Sequence, residues 1–257
     1  MKTDWWSAES TDGRTVFEFR FTRDKRRDIT GAVWVPAGPV KETLICFGHG
    51  ASGNRYQPPI VDMASAFVQR GYPVLSLDGP VHGLREVGGG GLQAFIPEFM
   101  RDDAVGDMAE EWHVAIDAAR EHIGGGTQTI AYFGLSMGTL LGTQMLAERD
   151  DVAAAVLGLA GASEAQPHGP ALLQAAAQID APILFLMQMQ DEMIQSDHAL
   201  ALFDRFASSD KRLHAHPGQH AYIAREEIDF AVKFIVSRMD GLHKAPEIIE
   251  IADYDND

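Results

Sequence analysis

Residues 134–138 read Gly-Leu-Ser-Met-Gly, a serine flanked on each side by a glycine two positions away. That spacing suits a serine held on a sharp strand-to-helix turn, where a larger neighbour would clash and the hydroxyl stands free. A serine hydroxyl is a weak nucleophile near neutral pH, so it needs a base within hydrogen-bond reach and an acid that orients the base. Where such a turn carries a nucleophile, the acid comes later in the chain, after a late strand, and the histidine after the last one. Asp191 follows the apolar stretch 182–187, and His220 lies beyond the stretch ending near residue 215, past Pro217-Gly218. The expected roles are Ser136 as nucleophile, His220 as general base and Asp191 as orienting acid.

Other acids and histidines compete for these roles. Glu192 and Asp197 lie close to Asp191, and Glu164 follows the preceding strand. The first acid after the strand is the best placed to reach across the sheet edge, which favours Asp191 and leaves Glu164 as runner-up. His214 and His216 alternate at strand spacing and belong with the last strand itself, whereas His220 sits on a free loop. His214, His216 and His220 have the side-chain type of a zinc site, but no matching carboxylate or second histidine cluster accompanies them in the sequence. No metal and no cofactor are therefore expected.

Positioning these residues requires a regular scaffold. Residues 16–22 alternate, the charged run 23–28 interrupts, and 29–35 again favour strand, which predicts an antiparallel hairpin. Apolar strand then alternates with helix: 44–47 before 60–70, 74–77 before 104–123, and 130–133 before 138–148. Strands over 152–159, 183–187 and 212–215 follow, the last two each with a helix after it. Such alternation predicts a mostly parallel sheet covered on both faces. In the final helix Ile228, Ala231, Val232, Ile235 and Met239 form an apolar stripe at three- and four-residue steps. Residues 1–240 read as one domain, and the acidic 241–257 as a disordered or loosely docked tail without chemistry.

Four motifs in order give the chain a resemblance to the α/β hydrolases, and within them to small lidless serine esterases similar to dienelactone hydrolase. They are Gly48-His49-Gly50-Ala51-Ser52-Gly53 after a strand, Asp78-Gly79-Pro80-Val81-His82-Gly83 after the next, the serine turn, and the loops of Asp191 and His220. The resemblance spans roughly residues 14–240. It implies an α/β-hydrolase fold and an oxyanion hole built from the backbone N–H groups of Ala51 and Met137. His49 and His82 are expected to hold their loops by hydrogen bonds to backbone. One departure stands out: dienelactone hydrolases proper use cysteine where this chain has Ser136. Only about twenty residues separate the strands ending near Leu159 and beginning near Pro182, too few for a multi-helix cap. Cover for the site is left to residues 84–101, where Gly88 to Gly91 supply hinge freedom and Phe95 and Phe99 are the expected substrate contacts, the other reading being a flexible loop whose apolar residues finish the core.

Composition narrows the partners. The 257 residues are 46% hydrophobic and carry a formal charge of −16, a field that repels nucleic acid and anionic membrane surfaces alike. The first six residues lack the apolar run of a secretory signal, and no later stretch has eighteen uninterrupted apolar residues, so the expected location is cytoplasmic. The lone Cys46 lies in an apolar run and reads as an inert buried thiol. The expected partner is a small-molecule ester of short acyl chain, cleaved through an acyl-enzyme on Ser136. A thioesterase, a peptidase-like hydrolase or an acyltransferase would use the same three residues, and a non-catalytic binding module would have no need of them.

Overall fold

The structure, a computed structural model, describes residues 2–8 and 14–239, so the acidic segment 241–257 lies outside the described residues. All six residues of strand β4 (Thr43–Gly48) are buried, which demands cover on both faces. Alternation sends Leu44 and Cys46 to one core and Ile45 and Phe47 to the other. Burial pushes the Cys46 thiol up to about 12, so it stays an uncharged part of the packing.

Nine strands form one sheet in the order β1-β2-β3-β5-β4-β6-β7-β8-β9. The hairpin expected from residue 16 onward is β2 (Arg14–Thr22) with β3 (Ile29–Pro36), and β3 joins β5 (Val74–Leu77) antiparallel. From β5 through β4, β6 (Thr129–Gly134), β7 (Val152–Gly158), β8 (Ile183–Gln188) and β9 (Lys211–His216) every pairing is parallel. Strand β1 (Lys2–Ala8), absent from the sequence reading, adds an antiparallel edge on β2. Its polar residues hide the period, but Trp5 packs one face of it onto Phe19 and Phe21 at ring separations of 4.9 and 5.5 Å.

The connecting helices sort by face. Helices α1 (Ile60–Val68) and α7 (Arg225–Met239) bury Phe67, Ile228, Phe234 and Ile235 against one side. Helices α3 (Ala104–His122), α4 (Met137–Ala147), α5 (Gly169–Ala176) and α6 (Ser196–Arg205) bury Trp112, Met145, Leu173 and Leu202 against the other. The eight-residue α5 occupies the short segment between β7 and β8, where a multi-helix cap had no room. Among the described residues no helix is long and apolar enough to cross a membrane.

Candidate active site

Strand β6 ends at Gly134 and helix α4 begins at Met137, leaving one residue pair to reverse the chain. Ser136 takes φ +55° and ψ −117°, a conformation that a non-glycine residue holds only where its surroundings enforce it. The enforcement is visible. Its N–H donates to the Gly158 carbonyl at 2.9 Å, and buried Thr139 Oγ1 accepts from the Gly158 N–H at 2.9 Å while lying 2.7 Å from the Gly134 oxygen. The flanking glycines are needed for space: a Cβ on Gly134 would fall 2.6 Å from the Tyr132 ring, and one on Gly138 2.4 Å from the Gly48 oxygen. Tyr132, fully buried, donates its hydroxyl to the Gly138 carbonyl at 2.7 Å and fixes α4 against β6.

The loops after β8 and β9 bring the other two residues to Ser136. Asp191 Oδ1 accepts the N–H groups of Met193 and Ile194 at 2.8 and 2.9 Å, which locks its carboxylate in place. His220 Nδ1 lies 2.8 Å from Asp191 Oδ2, and since a carboxylate only accepts, the proton is on Nδ1. Nε2 is then the acceptor, 2.9 Å from Ser136 Oγ. The histidine loop is laced to the acid loop by Gly218 N–H to Gln190 Oε1 at 2.6 Å, Gln190 N–H to the Gly218 carbonyl at 3.0 Å, and Gln188 Nε2 to the Tyr222 carbonyl. Glu192 accepts the His220 backbone N–H at 2.9 Å, a positioning contact with no signal in the sequence, while the carboxylate hydrogen-bonded to the imidazole is that of Asp191. Glu164 is exposed on the segment after β7.

The His-Gly loop and the Asp-Gly-Pro turn form the opposite wall. His49 Nδ1 donates to the Gly50 carbonyl at 2.7 Å and its Nε2 accepts the Gly79 N–H at 2.7 Å, tying the two loops together. Burial holds the His49 imidazole down at about 4, and lowers His82 as well, so both are neutral near pH 7. His82 Nε2 donates to the Ala51 carbonyl at 2.9 Å. Beneath them Asp78, fully buried, accepts from Thr30 Oγ1 at 2.7 Å, Leu84 N–H at 3.1 Å and Arg55 Nη1 at 3.0 Å. Scaffolding was the role expected of both histidines. Arg55, the cation that neutralises Asp78, carried no signal in the sequence.

These walls enclose a cavity of about 290 Å³ lined by Ser136, His220, Ala51, Glu192 and a mainly apolar set including Ile60, Phe133, Leu159, Met193 and Ile223. The expected substrate contacts Phe95 and Phe99 are not among its lining and need correction. Residues 91–99 fold as helix α2 (Gly91–Phe99), whose aromatic side chains close the core: Phe95 is buried 5.3 Å from Phe99, and Phe99 packs 4.9 Å from His168. Only first-turn Leu92 reaches the cavity. The four glycines before it all take positive φ, between 63° and 83°.

His214 and His216, which have no matching carboxylate near them in the sequence, meet one in the fold: Glu227 of α7 lies 2.8 Å from His214 Nδ1 and 2.9 Å from His216 Nε2.

The profile of the dienelactone hydrolase family matches residues 29–236, four-fifths of the chain and all of this site. The chain belongs to the dienelactone hydrolase family. That name denotes opening of a lactone, an internal carboxylic ester, and as a family member the chain is a carboxylic ester hydrolase of α/β-hydrolase fold. Among solved structures it resembles a cold-adapted esterase from an Arctic intertidal metagenomic library, at 27% identity and TM-score 0.82, over 93% of this chain and 100% of that one. The acetyl xylan esterases of Paenibacillus sp. R4 and Thermoanaerobacterium sp. JW/SL YS485 share the fold at 14% and 17% identity. Their TM-scores are 0.70 and 0.71, each alignment covering 92% of this chain and 88% and 87% of theirs. Among curated protein sequences no relative matches the chain.

Proposed function

We propose that this member of the dienelactone hydrolase family cleaves short-chain carboxylic esters through an acyl-enzyme on Ser136. The observation that carries the reading is the hydrogen-bonded row Asp191–His220–Ser136, with 2.8 and 2.9 Å links across three loops. Neutral His220 takes the serine proton as Oγ attacks the ester carbonyl, the carboxylate of Asp191 stabilises the imidazolium, and the same proton passes to the leaving alkoxide. Water then repeats the sequence on the acyl-enzyme. The tetrahedral oxyanion is met by the N–H of Met137, which at the first helical position has no acceptor within α4, and by that of Ala51, which lines the cavity beside Ser136. No step calls for a cofactor.

Substrate size follows from the cavity. Its 290 Å³ sits at the lower end of ligand-site volumes, and α2 contributes only Leu92 to its cover. Acyl groups of roughly two to six carbons fit that space, each methylene gaining at most about 0.8 kcal/mol on burial. The solved relative at 27% identity, named an esterase, supports ester over peptide or thioester. The partner is a small-molecule ester, with the −16 charge disfavouring nucleic acid, and the compartment we assign is the cytoplasm. Ser136→Ala should reduce hydrolysis of nitrophenyl butyrate and fluorophosphonate labelling to background with the melting temperature nearly unchanged. Residual activity above a few percent of wild type would end the serine assignment, and kcat/KM still climbing at palmitate would end the chain-length one.

A further inference from the structure

Outside the serine site, three side chains converge without a role in ester cleavage. Strand alternation puts His214 and His216 on one face of β9, and α7, packed across that face, brings Glu227 between them. His214 Nδ1 lies 2.8 Å from Glu227 Oε2 and His216 Nε2 2.9 Å from Glu227 Oε1, and the three ligand atoms all fall within 4.8 Å of one another. We propose that His214, His216 and Glu227 form a binding site for one divalent transition-metal cation of the zinc class.

The donor set is right in kind. Two neutral imidazoles and a carboxylate are the three protein ligands that zinc takes when a fourth position stays open. The fit is close in distance too. With metal–ligand bonds of about 2.0–2.1 Å, tetrahedral ligand atoms stand roughly 3.3 Å apart, so the two His–Glu separations need to open by about half an ångström while any pair near the 4.8 Å limit closes on the cation by side-chain rotation. The cation replaces the two hydrogens that now bridge the imidazoles to the carboxylate, and each of those hydrogens moves to the far nitrogen of its ring. Access is open, because the imidazole side chains are 26% and 27% exposed while the carboxylate is nearly covered.

Two further observations suit a cation. Gln188, 4% exposed, pairs with His216 across the sheet and lines one small cavity with His216 and Glu227; its Oε1 has no hydrogen-bond partner among the described residues. An unsatisfied buried carbonyl oxygen on a residue lining that shared cavity is a candidate fourth donor, directly or through water. The one cationic side chain on the same strand face, Arg212, is engaged by Asp210 at 3.4 Å and lies over the Phe234 ring. The placement also has a consequence for the serine site. His216 ends β9, Glu227 lies in the first turn of α7, and the loop between them carries His220, so the bound cation ties together both ends of the catalytic loop.

The test uses the untagged full chain, stripped with EDTA and titrated with ZnCl₂ by calorimetry, with bound zinc counted by native mass spectrometry. One zinc per chain is expected, with a rise in melting temperature, in wild type and equally in Ser136→Ala and His220→Ala. Glu227→Gln and His216→Gln should each weaken binding by about tenfold or more and abolish the thermal shift. His216 is at the rim, so its variant carries the test if Glu227→Gln fails to fold. Wild type that retains no zinc overturns the proposal. So does binding that survives both substitutions but disappears in His220→Ala, because the catalytic imidazole would then be the ligand.

Discussion

Gly138→Ala tests whether the approach of α4 to β4 sets the position of Ser136. The added Cβ would lie 2.4 Å from the Gly48 oxygen and 2.8 Å from its carbonyl carbon, about 1 Å inside ordinary contact. Both atoms are backbone, so neither can swing aside, and relief requires α4 to retreat from β4. Ser136 heads that helix and retreats with it, away from His220 Nε2 at 2.9 Å. A shift of this size at a reacting atom costs on the order of 10²-fold in rate. The overpacking itself costs about 1–3 kcal/mol, a fall of roughly 2–12 °C in melting temperature for a chain of this length. Gly106→Ala is the matched control: it lies inside α3 with no heavy atom within 4 Å of its Cβ. That variant should gain up to about 1 kcal/mol and leave activity unchanged. The assays are kcat/KM on nitrophenyl butyrate and thermal melting of both variants. A Gly138→Ala enzyme within threefold of wild type would refute the reasoning.

Asp191→Asn should lower kcat by on the order of 10³–10⁴-fold, because the amide cannot hold the required imidazole tautomer, whereas Glu192→Gln keeps an acceptor for the His220 N–H and should stay within about threefold. Steady-state kinetics of the pair decides between the two acids, and similar losses in both would reopen the assignment. His49 has a folded value near 4 against an ordinary 6.5, so the unfolded chain binds the extra proton between those values. Stability should therefore fall as pH drops from about 6.5 to 4, His49 accounting for about 3 kcal/mol of the loss, with a shallower slope in His49→Asn melting curves. Leu92→Ala should reduce kcat/KM for butyrate relative to acetate by about fourfold, the worth of roughly one buried methylene; an unchanged ratio would remove Leu92 from the acyl site.

How much of this was legible in the sequence depends on the range of each signal. Strands β4, β6 and β8 are buried on both faces and read as apolar runs, and the Gly-x-Ser-x-Gly turn is local, so the frame and the strained serine turn were visible. Strand β1 was not, since an exposed edge strand mixes Lys2 and Asp4 with its tryptophans and borrows its pairing from β2. Helix α5 opens at His168 in a left-handed conformation, with no side-chain cap to announce it. The aromatic residues of α2 were assigned to the substrate because apolarity in one sequence does not say whether a stripe faces ligand or core. Glu227 gives no signal for a simpler reason: it stands eleven positions after His216, across a loop, and only the docking of α7 on β9 makes them neighbours.

The division of the apolar interior into two clusters also bears on how this enzyme wears out. Ser136 stands at the head of α4, whose buried side chains belong to the layer with α3 and α5, while the loop of His220 runs into α7, which belongs to the opposite layer with α1. Ser136 and His220 are thus delivered by different halves of the interior, which face each other across the sheet. Loosening of either layer would part the two side chains, so heat inactivation is expected to set in no later than the melting of the less stable layer.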